Sequence, residues 1–174
     1  AAGSVTAPVA VTSAPSSARL NAKKPWYKSL WDPVVYAYDN GAWEFYLPFK
    51  TYHSRSSYSD EQIADYQENP LGFGVGKGLY NERGNWEGVF ALAFQDSHFK
   101  PSYTVGYSWK SIWRPAEDVR VGLGYIAGLM MREDTINYFP FPVVLPVASL
   151  SYKNFSLEGV YVPPSGDAGN VLFL

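Results

Sequence analysis

The chain has no cysteine among its 174 residues, which excludes disulfides, thiolate zinc sites, iron–sulfur clusters and a cysteine nucleophile. It is also poor in charge. Asp, Glu, Lys and Arg make up 17% of residues, against about a quarter in ordinary domains. The net charge of −2 gives no electrostatic support for binding nucleic acid or another polyanion. Histidine is scarce: His53 and His98 stand alone, at no paired spacing, so neither a metal centre nor a cofactor is expected. Long apolar runs are missing as well. The longest, Phe139 to Leu150, is interrupted by Pro140, Pro142 and Pro146, whereas a spanning helix needs about 20 apolar residues. What the sequence does have is 17% aromatic residues and 15 glycines in a length suited to one domain. These features point to an all-β fold.

Residues 1–24 contain Ala, Ser, Thr, Val and Pro but no aromatic residue, and they show no basic start followed by an apolar core. The predicted division is a disordered segment over 1–25, an amphipathic helix over 26–40 and a β-domain over 41–174. In the helix, Trp26, Tyr27, Leu30, Trp31, Val34 and Val35 form a wide aromatic stripe, with a break expected near Pro33. The stripe suits either a cap on the core or a helix at a membrane–water boundary. Eight strand signals follow, at 42–54, 71–81, 85–95, 102–113, 119–131, 143–152, 155–162 and 169–174. Asn81-Glu82-Arg83-Gly84-Asn85 reads as a tight hairpin, and eight strands on short turns suit an up-and-down barrel.

Alternation along the strands is the most informative pattern. Leu71, Phe73, Val75, Lys77 and Leu79 oppose Gly72, Gly74, Gly76 and Gly78, while Val121, Leu123, Tyr125 and Leu129 oppose Gly122, Gly124 and Gly128. One face is therefore bulky and the other nearly empty. Small residues could let a narrow barrel close, or they could line a hollow for a slender ligand. Phe90, Leu92 and Phe94 alternate with Val89, Ala91 and Ala93, so this strand is apolar on both faces, unlike a porin strand beside water. Bulky groups facing lipid and small ones facing an acyl chain produce that pattern. Pro48, Pro70, Pro146 and Pro163 lie within or beside strands, where a missing N–H either opens the wall or marks a strand end or bulge.

Candidate chemistry gathers at one rim. Strand direction brings His53 to the same end as Asp96, Ser97 and His98. A base, a carboxylate and a hydroxyl beside an acyl-sized hole suit acyl transfer, although each is also an ordinary loop residue.

These residues carry a resemblance. Tyr46-Leu47-Pro48 to His53, Glu68-Asn69-Pro70, Asn81 to Trp86, Ala93-Phe94-Gln95-Asp96-Ser97 and Trp109 to Pro115 occur in the order found in the lipid A palmitoyltransferases of Gram-negative outer membranes. Asn137-Tyr138-Phe139-Pro140, Leu145 to Ser149, Tyr161-Val162-Pro163 and Gly169-Asn170-Val171 continue the match, which runs from about Trp26 to Leu174. The resemblance implies an eight-stranded antiparallel transmembrane barrel with an N-terminal amphipathic helix, acting as a monomer in the outer membrane. It implies transfer of a palmitoyl chain from the sn-1 position of a phospholipid donor to a hydroxyacyl chain of lipid A. The family's catalytic residues correspond to His53, Asp96 and Ser97. Its lateral lipid openings correspond to Pro48 with Pro70, and to Pro146 with Pro163. Ser108 stands where a glycine floors the family's acyl pocket, implying a pocket about one methylene shorter. A non-catalytic acyl-binding or structural outer-membrane barrel would share the same faces, and a lipocalin-like binder would instead be soluble.

Overall fold

The computed structural model describes residues 25–53, 71–96, 99–133, 136–163 and 170–174, with His53 described through its backbone alone. A helix, α1 (Trp26–Asn40), precedes nine strands. These are β1 (Ala42–Tyr46), β2 (Thr51–His53), β3 (Gly72–Tyr80), β4 (Trp86–Gln95), β5 (Pro101–Ala116), β6 (Val119–Met131), β7 (Phe141–Tyr152), β8 (Phe155–Val162) and β9 (Val171–Phe173). All pairings are antiparallel, in one sheet of order β1-β3-β4-β5-β6-β7-β8-β9-β2.

The nine strands arise because the first expected strand is cut in two around Pro48. Its first half pairs with β3 and its second half with β9, so one short chain segment supplies both edges of the sheet. Nine flat strands would set those edges roughly 38 Å apart, at about 4.8 Å per strand. The connection from Tyr46 to Thr51 reaches at most about 17 Å. The sheet therefore has to curl round on itself. The Leu174 carbonyl accepts from the N–H groups of Phe49 and Lys50, and Leu174 N–H donates to the Lys50 carbonyl, which extends the β2–β9 pairing back to the cut.

The predicted faces appear on the two sides of this curl. Phe73, Tyr103, Val105, Val121, Leu123, Tyr125, Leu129, Val144 and Leu150 are exposed on the outside. Ser102, Thr104, Ser108, Ile126, Leu145 and Val147 are buried on the inside, where Phe90, Val143, Val160 and Val162 pack against an Ile126–Leu145–Val147 centre. The inward glycines allow close approach between strands. A Cβ on Gly124 would fall on the carbonyl of Trp109, and one on Gly128 on that of Val105. The small face is thus first a condition for tight curvature.

Helix α1 continues through Pro33 instead of ending there. Proline removes a single intrahelical bond, and the remaining turns persist on this exposed segment. Only Ala37 of the helix is buried, while Trp26, Leu30, Trp31 and Tyr38 are exposed. Its C-terminal end is fixed by Lys77, whose Nζ donates to the Tyr38 carbonyl at 2.6 Å and lies over the rings of Tyr38 and Trp43.

Candidate functional site

At the rim where β4 ends, Asp96 is 6% exposed, which is unusual for a carboxylate in a turn. The turn itself holds it. Asp96 Oδ1 accepts from Lys100 N–H at 2.9 Å, Asp96 N–H donates to the Lys100 carbonyl, and Phe99 takes a positive φ of 62° to close the loop. Arg132, at the end of β6, brings Nη2 to 3.8 Å from Asp96 Oδ2. Outside this pair, Lys100 Nζ lies 3.1 Å from Glu133 Oε2, and that carboxylate keeps the ammonium protonated to higher pH than usual. Sequence reasoning missed Lys100, Arg132 and Glu133, because nothing in their local pattern distinguishes them from solvated loop charges.

His53 ends β2, where its backbone pairs with Val171 of β9. The β2 and β4 segments run toward the same end of the sheet, and an inward contact links them. Phe173, register partner of Thr51, has its ring 4.9 Å from that of Phe94. The His53 side chain, Ser97, His98 and Pro70 lie outside the described residues.

Below the rim, β5 presents Ser102, Thr104 and Ser108 inward, each with a buried side-chain hydroxyl that has no hydrogen-bond partner among the described residues. Ser108 sits between Gly88 of β4 and Ile126 of β6, at the lower boundary of the apolar interior. Beneath it the interior becomes polar. Lys110 Nζ pairs with Glu158 Oε1 and lies 3.9 Å from the Trp86 ring centroid. Trp86 Nε1 and Tyr46 Oη donate to the two oxygens of Glu44 at 3.2 and 2.6 Å. The glycine pattern marks this interior as small, but its charged base is not legible in the sequence, since its members come from four separate strands.

Two of the prolines coincide with interruptions of the ladder. Pro48 is buried in the gap between β1 and β2. Pro146 pairs with Tyr125 on one side, but the β7–β8 ladder begins only at Val147, so β7 above that point has no β8 partner. Pro163 directly follows the end of β8. Proline is tolerated in such places because one side of the strand needs no ladder bond. An outward cavity of about 350 Å³ lies between Phe73, Ala91, Ala93, Tyr103 and Met131, where alanines leave a dip in the bulky face.

Comparison with known proteins agrees with this geometry. Residues 34–174 match the family model described as antimicrobial peptide resistance and lipid A acylation protein PagP. A lipid A acyltransferase PagP of Laribacter hongkongensis is 42% identical over 148 residues, covering 85% of this chain and 71% of the relative. Proteins of the same description from Edwardsiella tarda and Salmonella typhi are 44% and 39% identical, covering 75% and 87% of this chain and 71% and 81% of theirs. With the family model spanning the whole curled sheet, and relatives this similar over most of their length, the chain belongs to the PagP family.

Proposed function

We propose that the chain is a lipid A acyltransferase of the Gram-negative outer membrane, folded as an eight-stranded barrel in which β1 and β2 form one wall strand. The observation that carries the activity is its family membership, together with a buried Asp96 at the rim where the β2 strand also ends. The outer face supports the membrane setting. Tyr103 and Trp113 are exposed at the two ends of β5, ten residues apart. That is roughly 33 Å along the strand, and about 25 Å after the usual barrel tilt, the height of an outer-membrane apolar band flanked by aromatic girdles.

In the reaction, His53 takes the proton from a hydroxyl on an acyl chain of lipid A. The hydroxyl oxygen attacks the carbonyl of the sn-1 ester of a glycerophospholipid. The ester bond to glycerol breaks, and the proton passes to the departing glycerol oxygen, leaving a lysophospholipid. Asp96 orients the imidazole and stabilises its charge, and Ser97 donates to the developing oxyanion. The acyl chain, palmitoyl or one methylene shorter, occupies the apolar interior between the rim and Ser108. Lipids enter sideways beside Pro48 and Pro70, and beside Pro146 and Pro163. The protein works as a monomer.

The test is transfer of a labelled acyl group from phospholipid to lipid A in outer-membrane vesicles. His53→Ala, Asp96→Ala and Ser97→Ala are each expected to lower the rate by about 10²-fold or more. Near-normal transfer by all three would overturn the site, and no transfer by the wild type would leave a non-catalytic acyl-binding barrel.

A further inference from the structure

The turn end of the sheet, opposite the Asp96 rim, carries two guanidinium groups against one aromatic ring. Arg114 of β5 and Arg120 of β6 lie 5.3 and 5.6 Å from the ring centroid of Tyr80, the last residue of β3. Each arm is anchored on a turn. Arg114 Nη2 donates to the Gly84 carbonyl at 3.3 Å, and Arg120 Nη2 donates to the Lys153 carbonyl. The β3–β4 turn is shaped for this approach. Gly84 has φ +77°, and a Cβ there would come within 3.1 Å of Arg114 Nη1.

Neither guanidinium has a carboxylate within ion-pair distance among the described residues. Of the acids at this end, Asp118 pairs with Lys153 and Glu158 with Lys110, while Glu82 and Glu117, in the β3–β4 and β5–β6 turns, make no ion pair with either arginine among the described residues. Arg120 Nε is moreover buried without a hydrogen-bond partner among the described residues. Two cations sharing one ring repel each other, and a buried N–H without an acceptor keeps its desolvation cost uncompensated. A single anion held between them removes both penalties. Guanidinium forks match the oxygens of phosphate, and an aromatic face holds their planes in place.

The geometry points to a phosphate-binding site formed by Arg114 and Arg120 on the Tyr80 ring, taking a phosphate monoester or diester. It lies at the end opposite the acyl-transfer rim and goes beyond that activity. The phosphate can come from a phospholipid headgroup at this rim or from free phosphate in solution.

The experiment uses the full wild-type chain in uncharged detergent micelles. Phenylglyoxal modifies the arginines, and peptide mass spectrometry reads Arg114, Arg120 and, as an internal control, Arg83. Dihexanoylphosphatidylglycerol is expected to slow modification of Arg114 and Arg120 by about tenfold, the scale of one charge-assisted hydrogen bond, while leaving Arg83 unchanged. Dihexanoylglycerol, which lacks the phosphate, should protect neither. Protection by inorganic phosphate at equal concentration assigns the site to soluble phosphate; protection by the lipid alone assigns it to a headgroup. If neither compound protects, or Arg83 is protected equally, the site does not exist. As a second measurement, native mass spectrometry of R114Q/R120Q should show about tenfold weaker retention of the same lipid, with the far-ultraviolet strand signal unchanged.

Discussion

The ring of Phe94 meets that of Phe173 with centroids 4.9 Å apart, tying β4 to β9 through the inside of the curl. Phe94 stands two residues before Asp96, and Phe173 is the register partner of Thr51, two residues before His53. The proposed base and its carboxylate therefore stand on segments joined by one aromatic contact just below the rim. Phe173→Ala is expected to leave the β3–β8 ladder intact and to lower acyl transfer by about tenfold. Losing the ring lets the two segments shift at the rim, and a small misplacement of the base accounts for a loss of about that size. Rate and heat-modifiable mobility, measured on the same sample, check it. Unchanged transfer with an altered mobility would show the contact to be purely structural.

Asp96 separates charge from scaffolding. Asp96→Asn keeps an oxygen able to accept from Lys100 N–H, so the turn should survive, but the negative charge beside Arg132 is lost. Transfer should fall by about 10²-fold, as expected when a base loses its orienting charge. Arg132→Gln removes the ion-pair contact at 3.8 Å and should cost no more than a few-fold. Equal losses in the two variants would make the ion pair, and not Asp96 itself, the functional unit.

Much of the wall was legible because strand residues alternate with period two, a signal that survives in a single sequence. The bulky set of β3 and β6 follows from it, the hairpin at Asn81–Asn85 from its turn residues, and the end shared by His53 and Asp96 from strand direction. Pro48 was flagged, but its consequence was not: whether a proline makes a bulge or splits a strand depends on which neighbour each half finds, here β3 and β9. The interior base is illegible for a related reason. Glu44, Trp86, Lys110 and Glu158 are far apart in the chain, and only the register of the curled sheet brings them together.

Glycines on the two faces of the curl have opposite tolerance, Gly124 lying on the inner face and Gly159 on the outer. A Cβ at Gly124 meets the Trp109 carbonyl and the backbone of Lys110, whereas one at Gly159 finds its nearest neighbours at 3.4 and 3.5 Å. Gly124→Ala should therefore destabilise the fold by about 3 kcal/mol, because two backbones must separate. Gly159→Ala should change stability by less than about 1 kcal/mol. Urea unfolding in detergent micelles reads the difference, and equal effects would mean that the curl is looser than these contacts require.

Lys110 is a buried cation with one ion-pair partner and one aromatic face. Lys110→Met leaves Glu158 and Glu44 near each other without their cation, and should cost about 3 kcal/mol. Lys110→Met combined with Glu158→Leu should recover most of that loss, since Glu158 is then gone and Glu44 keeps its donors Tyr46 Oη and Trp86 Nε1. A double variant no more stable than Lys110→Met would show the Lys110–Trp86 contact, and not the ion pair, to dominate.

Ser108 offers the sharpest test of the interior as an acyl site, because its side chain combines a volume effect with a polar one. It is 3% exposed, lies between Gly88 and Ile126, and holds a hydroxyl with no partner among the described residues. If an acyl chain ends against it, Ser108→Gly frees space for about one methylene. Burying that methylene is worth roughly 0.8 kcal/mol, or about a fourfold shift in preference toward the longer donor. Ser108→Ala keeps the Cβ and removes only the hydroxyl. The preferred length should then stay unchanged while the rate with saturated donors rises by about fivefold, because the chain no longer buries an unpaired polar group. Transfer from phosphatidylcholines of graded chain length separates the two effects. A Gly variant with an unaltered length profile would place the end of the chain elsewhere in the interior.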